Sequence, residues 1–352
     1  MEDRLNSSSR PSNLSSSSDF RSVFTEEVLP PLYLALCIVG LLLNAVASFV
    51  FCRVPSDAAL VVYLKNMLLA DLLMLIYFPF KLLAQLGVGG WRLHVIMCRF
   101  VAVLFYFSMY TGIMFMGLIS LERYTKIVRN SQPTVFGRVS VVHFLQSPGS
   151  AFTVAVGTWG LMLLSTLPNV LLTSRDANET NARRCMDLKT ELGVRWHKAS
   201  SIFSVGVFWL TLVVMVTCYT SIGVHVYRSC RRVRSNSSVC RKSRRSILSL
   251  LLVFALCFVP YHLCRIPYTL SQMPWSGFSQ HSRFVLFQVK EATLMLASVN
   301  VCLDPLVYFL MCRSFRHTLL QSLRRRAKPA GEARSMGTST AVVLFNVSPQ
   351  SS

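Results

Sequence analysis

Seven long apolar stretches run through this chain, at approximately 28–52, 60–86, 95–127, 151–173, 198–228, 244–272 and 284–311. Each is near the length of about 20 residues that a helix needs to cross a bilayer. In hydrocarbon a spanning segment must satisfy its own backbone N–H and C=O groups, so such stretches fold as helices. The expected fold class is therefore an all-α membrane protein: a seven-transmembrane helix bundle plus a short amphipathic C-terminal helix. Composition agrees. Of the 352 residues 53% are hydrophobic and 14% charged, where soluble domains carry about a quarter charged residues.

Charge sets the expected orientation. A formal net charge of +21 could point to nucleic acid, but the basic residues crowd into short loops between apolar runs, the positive-inside pattern. No nucleic-acid partner is expected. The connector 229–245 carries Arg231, Arg232, Arg234, Arg241, Lys242, Arg244 and Arg245, and the tail carries Arg313, Arg316, Arg324, Arg325, Arg326 and Lys328. Both are expected in the cytoplasm. An odd number of spans then places the N-terminus outside, for a multi-pass plasma-membrane protein. Residues 1–27 are polar and serine-rich, too poor in apolar groups to build a core, and are expected to be a disordered, glycosylated extracellular segment. Asn6, Asn13 and Asn178 head N-x-S/T sequons on the outer side. The sequons at Asn236 and Asn346 fall inside. No basic segment followed by a short apolar core opens the chain, so the first span is expected to direct insertion.

The domain plan is 1–27, the seven-helix domain 28–311, a membrane-surface helix 312–327 and a disordered cytoplasmic tail 328–352. Residues Arg313 to Arg326 alternate basic side chains with Phe315, Leu319, Leu320 and Leu323, the pattern of a helix lying on membrane lipids. Cys312 beside it is a weak palmitoylation candidate. Most of the eleven cysteines sit inside apolar runs as small hydrophobes. Cys98 and Cys185 instead fall at expected outer ends and could be bridged. The stretch Arg138 to Ser150 matches nothing we can place.

Polar residues inside the spans are costly and so informative. In Phe254–Gln272, Pro260 removes a backbone hydrogen bond and is expected to kink the sixth span. His262, Arg265 and Tyr268 follow. An arginine there either snorkels to the headgroups or faces a cavity, and the cavity is the preferred reading. Asn44, Asp71, Asn300 and Asp304 read either as hydrogen-bonding glue between helices or as a small hydrated cluster suited to a cation such as sodium. Glu122-Arg123-Tyr124 ends the third span, where alone it is an interface anchor. Arg265 and Lys290 lie near the outer ends of spans six and seven and His197 at the top of span five. Arg184 and Lys189 flank Cys185. Together these cations outnumber nearby acids, although Glu291 adjoins Lys290. Such a group suits phosphate. Tyr106 and Tyr110, four apart, share one helical face, as pocket lining or as ordinary packing.

The ordered set NMLLAD (66–71), ERY (122–124), CFVPYH (257–262) and DPLVY (304–308) resembles the rhodopsin-like G-protein-coupled receptors over almost the whole chain. YLKN (63–66), LPN (167–169), GVRWH (193–197), HLCRIPYTLSQ (262–272) and KEATLMLASVNVCLDP (290–305) are similar to the purinergic nucleotide receptors of the ADP and UDP-sugar branch. The resemblance implies an extracellular nucleotide or nucleotide-sugar ligand held by the positions of Tyr106, His197, Arg265, Tyr268 and Lys290, to which helical face and charge add Tyr110 and Lys189 as candidates, and it implies a Cys98–Cys185 bridge. It implies coupling to an inhibitory-class heterotrimeric G protein, with arrestin as a further partner, through Glu122, Arg123, Tyr124, Phe258, Pro260, Asp304, Pro305 and Tyr308. No cofactor is implied.

The chain departs from the family in three places. Ser201 stands where relatives carry asparagine. No cysteine precedes Cys37 and none lies between Cys264 and Cys302, so a second outer bridge cannot form. That keeps an anionic lipid such as a lysophosphatidic acid as the alternative ligand. No Asp or Glu occurs between Glu191 and Glu291, so span six offers Arg123 no acidic lock. An enzyme is not expected, because no nucleophile, base and orienting group recur at a usable spacing. Nor is a transporter, for want of internal repeats. A non-signalling decoy receptor is the remaining rival, against which the intact ERY and DPLVY argue.

Overall fold

The computed structural model describes residues 20, 22–129, 146–179, 182, 184–233, 237–273 and 276–327. The sequons at Asn6, Asn13, Asn236 and Asn346, residues 138–145 and the tail from 328 lie outside the described residues, as do the side chains of the connector from 232 to 250. Among the described residues there is no strand. Seven helices are long and apolar enough to cross a membrane. They are α1 (Phe24–Phe51), α2 (Ala59–Gln85), α3 (Gly90–Val128), α4 (Pro148–Leu171), α5 (Glu191–Val233), α6 (Ser237–Ser271) and α7 (Gln280–Met311), and α8 (Arg313–Ala327) follows.

The core is one continuous apolar cluster with α3 at its centre, packed on α2, α4 and α5. α5 meets α6, α6 meets α7, and α1 closes the ring against α2 and α7. On the outward faces of α1 and α4, Ile38, Leu41, Leu42, Phe152 and Leu164 are exposed. A run of large apolar side chains facing out is the arrangement that lipid, not water, stabilises. The Cys98–Cys185 disulfide joins α3 to the loop after α4, and Val95, Ala182 and Leu188 pack around it. We call this the bridged end of the bundle.

Apolar length predicts where a helix crosses, not where it stops. α5 runs 43 residues, roughly 65 Å at 1.5 Å per residue and about twice the hydrocarbon thickness. Its first turns, ELGVRWH, are already helical although only half apolar. α6 likewise begins at Ser237, ahead of the expected 244, in a basic stretch rich in good helix formers. α4 begins where the unplaced stretch ends: the Ser147 hydroxyl accepts from the Ser150 amide (3.2 Å) and Pro148 occupies the first helical position. Ser147–Ser150 thus caps a helix.

Prolines shape α2 and α7. The break at Ile76 precedes Pro79, which cannot donate to the Leu75 carbonyl. In α7, Pro305 cannot donate to Val301, and Asn44 from α1 donates to that carbonyl instead at 2.9 Å. α6, by contrast, runs through Pro260 and Pro267 without a break.

Gly193 marks a close approach. A Cβ there would sit 2.6 Å from the Leu172 backbone carbonyl, which already accepts from the Thr190 amide at 3.0 Å. Backbone cannot yield as a flexible side chain does. We expect Gly193→Ala to destabilise the fold by about 1–3 kcal/mol. At Gly112 and Gly206 nothing lies within 4 Å of the added carbon, and Ala there gains up to about 1 kcal/mol of helix propensity. The apparent Tm of detergent-purified protein, lowered by the first change and not by the other two, checks this.

Candidate functional site

The bridged end of the bundle holds a group of cations around aromatic rings. Arg265 of α6 is buried. Its Nη1 donates to the Tyr106 hydroxyl of α3 and its Nη2 to Ser201 Oγ of α5, both at 3.3 Å. The guanidinium lies over the Tyr106 ring at 4.6 Å and near the Tyr261 ring at 5.9 Å. No carboxylate among the described residues lies within 4.0 Å of it. Two long hydrogen bonds to uncharged oxygens and two ring faces are partial compensation for a buried cation. The guanidinium is enclosed by side chains of α3, α5 and α6 and does not snorkel to a surface.

Lys290 and Glu291 of α7 form a buried ion pair, and Lys81 of α2 donates to the same carboxylate at 2.9 Å. The two lysines over-neutralise the one acid. The Lys290 ammonium also sits 5.1 Å from the ring centres of both Tyr268 and Phe287. From the loop, Lys189 is buried beside Thr173, donating to its hydroxyl at 2.9 Å. Burial, helped by the nearby Arg265 charge, lowers the Lys189 ammonium to a pKa of about 8. His197 is half-buried on the first turns of α5.

Below this layer the rings close in. Tyr106 and Tyr261 stack with centroids 6.4 Å apart. His262 stacks on Phe208 of α5 at 3.7 Å and meets Tyr110 edge-on at 5.6 Å. Its Nδ1 lies 2.7 Å from the Phe258 carbonyl. A carbonyl can only accept, so that nitrogen carries the proton. Phe258 packs on Phe254, 5.0 Å away. An unbroken column of rings therefore runs from Arg265 down α6 past Pro260.

Farther from the bridge lies the polar cluster. Tyr308 donates to Asp71 (2.6 Å) and Asn300 to Asp304 (2.7 Å), while Asn44 donates to the Gly40 and Val301 carbonyls, both at 2.9 Å. All five are buried. The structure pairs Tyr308 with Asp71 and Asn300 with Asp304, while Asn44 holds the backbone carbonyl of Val301, next to Asn300. At the far end of α3, Arg123 Nε lies 3.3 Å from the buried Glu122 carboxylate, and Lys126 lies 4.0 Å from its other oxygen. Tyr124 is half-buried against the core. Cys312 is buried, its sulfur accepting from the Phe315 amide at 3.4 Å, a position that does not present the thiol for acylation. Asn178 is exposed at the bridged end.

The structure gathers Tyr106, Tyr110, Lys189, His197, Arg265, Tyr268 and Lys290 at one end of the bundle. Sequence reasoning missed Lys81, Tyr261 and Phe208, which stand among them. Lys81 had a readable signal, a lysine within an apolar span just past Pro79. The rings had none, because an aromatic residue in an apolar helix reads as packing.

Comparison with known proteins follows the same lines. Residues 43–308 match the 7 transmembrane receptor (rhodopsin family) model. Purinoceptor 14 of Bos taurus is 43% identical over 308 residues, covering 87% of this chain and 88% of the relative. G-protein coupled receptor 87 of Mus musculus is 35% identical, covering 94% and 90%. Purinoceptor 13 of Rattus norvegicus is 36% identical, covering 88% of each. Seven membrane-crossing helices, the α3-to-loop bridge, the ERY and DPLVY segments in order and these likenesses across nearly the whole length make this chain a member of the rhodopsin family of seven-transmembrane receptors, among the purinoceptors: a multi-pass membrane receptor, not an enzyme.

Proposed function

We propose that this receptor binds an extracellular nucleotide or nucleotide sugar at the bridged end and activates an inhibitory-class G protein at the other. The observation that carries the ligand class is Arg265: a buried guanidinium with no carboxylate partner among the described residues, in a wall that also holds Lys189 and Lys290. A phosphate entering there replaces two long hydrogen bonds to uncharged oxygens with short ones to an anion. Tyr106, Tyr110, Tyr268 and His197 supply ring faces and hydrogen bonds for a base or sugar. The related purinoceptors support the same class. The bridged end faces outward on this reading, with the exposed Asn178 sequon, and the basic connector and α8 face the cytoplasm.

Transmission runs along α6. A ligand pulling on Arg265 moves the helix that carries Pro260, and the inner half swings to expose Arg123. The ligand shifts an existing equilibrium by its differential contacts in the two arrangements. Asn44, Asp71, Asn300 and Asp304 form the hinge-side cluster, with room in its chemistry for a cation.

In cells expressing the chain, UDP-glucose or ADP is expected to inhibit forskolin-raised cyclic AMP. Arg265→Ala raises the half-maximal concentration by about 10- to 150-fold, the worth of about 1.5–3 kcal/mol for hydrogen bonds to a charged group. Arg265→Lys recovers part of this, because a lysine keeps the charge and loses the fork. A response to lysophosphatidic acid alone moves the ligand class to the lipid. Nucleotide binding without nucleotide exchange on a G protein in purified membranes makes the chain a decoy.

Lys189 adds a pH dependence. Its ammonium is charged below a pKa of about 8 and neutral above, so the anion loses a partner as pH rises through that value. Potency of UDP-glucose, whose phosphates do not titrate in this range, is expected to fall several-fold between pH 7 and 9. Lys189→Arg abolishes the fall, and an unchanged pH profile in that variant counts against the role.

Among the described residues Arg123 pairs with the Glu122 carboxylate and with no other acid, and the sequence of α6 offers it none. A single ion pair at a partly exposed end is worth about 1 kcal/mol or less. Ligand-free signalling above that of mock-transfected cells is therefore expected. An acid introduced at the inner end of α6, Arg244→Glu, lowers it.

A further inference from the structure

Ahead of α1, Phe20 and Ser22 lie on α7. Ser22 Oγ donates to Gln288 Oε1 at 2.8 Å, and Gln288 Nε2 donates to the Phe20 carbonyl at 2.8 Å. One amide side chain thus holds the segment through both its polar atoms. The Phe20 ring stacks on Phe287, centroids 5.4 Å apart and planes 26° apart, and lies beside Phe284 at 6.5 Å. From α2, Gln85 donates to the Thr25 carbonyl at 3.4 Å. Phe20 and Ser22, with Thr25 in the first turn of α1, therefore reach between α2 and α7.

Phe287 is also one of the two rings that flank the Lys290 ammonium, the other being Tyr268, each at 5.1 Å. Phe287, Lys290 and Glu291 share one face of α7 at i, i+3 and i+4. Gln288, one position on from Phe287, sits at the edge of that face. A chain of direct contacts consequently runs from Phe20 through a single ring to Lys290. No covalent tie does this work: no cysteine precedes Cys37 and none lies between Cys264 and Cys302.

We propose that Phe20, Ser22 and Gln288 are positioning residues for the anion site, clasping the N-terminal segment to α7 so that Phe287 holds the Lys290 ammonium toward the pocket. Lys290 has two competing stations, the Glu291 carboxylate on its own helix and the space facing Arg265. An ammonium is held over ring faces only where the rings are fixed. Phe287, on the rim, gains its fixed place from the Phe20 stack. Without the clasp the ring turns, and Lys290 loses one of its two walls. The clasp is made of hydrogen bonds and ring contact, so it opens and closes reversibly.

The ligand half of this inference rests on the nucleotide reading above; the clasp itself does not. The test has one arm for each. In detergent-purified full-length protein without ligand, Lys290 is labelled with a small amine-reactive ester and quantified by mass spectrometry against Lys65, which belongs to α2 near the opposite end. Phe20→Ala and Gln288→Ala are expected to speed Lys290 labelling at least threefold, and Phe20→Tyr, which keeps the ring, to leave it unchanged. In cells, Phe20→Ala and Gln288→Ala raise the half-maximal concentration of UDP-glucose about 5- to 30-fold at matched surface expression, with Phe20→Tyr again like the parent. Unchanged Lys290 labelling in both alanine variants overturns the clasp, whatever the ligand. Faster labelling with no nucleotide response in the parent chain upholds the clasp and overturns the nucleotide reading. Faster labelling with an unshifted nucleotide response overturns the positioning role.

Discussion

The buried guanidinium of Arg265 is the interaction on which the bridged half of this receptor depends. Holding an arginine inside a membrane protein without an acid costs several kcal/mol unless something else meets the charge. Here that something is a pair of tyrosine rings, one tyrosine hydroxyl and one serine. A hydrogen bond from a charged group is worth about 1.5–3 kcal/mol net at good geometry, less at 3.3 Å, and a desolvated cation–π contact about 2. The balance is adequate for folding and poor for rest. Glu291 could have answered the charge, but Lys81 and Lys290 already share it. The architecture commits that acid to α7 and leaves α6 with the unanswered cation.

That division separates two jobs. On α7 the Lys81–Glu291–Lys290 group ties α2 to α7, and the N-terminal segment adds a second tie between the same two helices through Gln85 and Gln288. On α6, Arg265 reaches only to side chains of α3 and α5, through long bonds. The α2–α7 side of the mouth is the better fastened wall and α6 the looser one. A ligand that reaches from Lys290 to Arg265 would pull the loose wall toward the fixed one.

The seven spans, their order and the residues at each end were legible because membrane insertion makes hydrophobic length an explicit code. Arg265 was legible for the same reason: a charge inside an apolar run must be explained. Helix ends were not, since α5 and α6 continue past the apolar runs, α5 through polar turns held by a cap at Thr190 and by Trp196 on the Ser165 carbonyl. Partners were only half legible. Asp71 and Asp304 announce a polar cluster, yet the sequence says nothing of Asn44 turning to the Val301 carbonyl that Pro305 leaves free. Nor does it show that the Phe20 segment answers the missing second bridge with a clasp of ordinary side chains. Contacts between residues more than 260 apart in the chain, such as Ser22 with Gln288, have no local signature.

α6 also carries the connection between the two ends. From Arg265 the rings of Tyr261, His262, Phe258 and Phe254 follow one another down the helix, and Phe208 of α5 stacks on both His262 and Phe254. Packed interiors pass a displacement on because they have few places to absorb it. Within this column Pro260 is the one residue that cannot donate to the carbonyl a turn before it, so bending costs least there. Below it the column reaches Phe254 beside Met116, Ile119 and Tyr219, one helical turn or so from Arg123. With no acid on α6 to hold Arg123 and a soft point midway, the energy separating the two arrangements of the helix is set mainly by what Arg265 touches at the top. That is the condition under which a small anion at one end can govern the other.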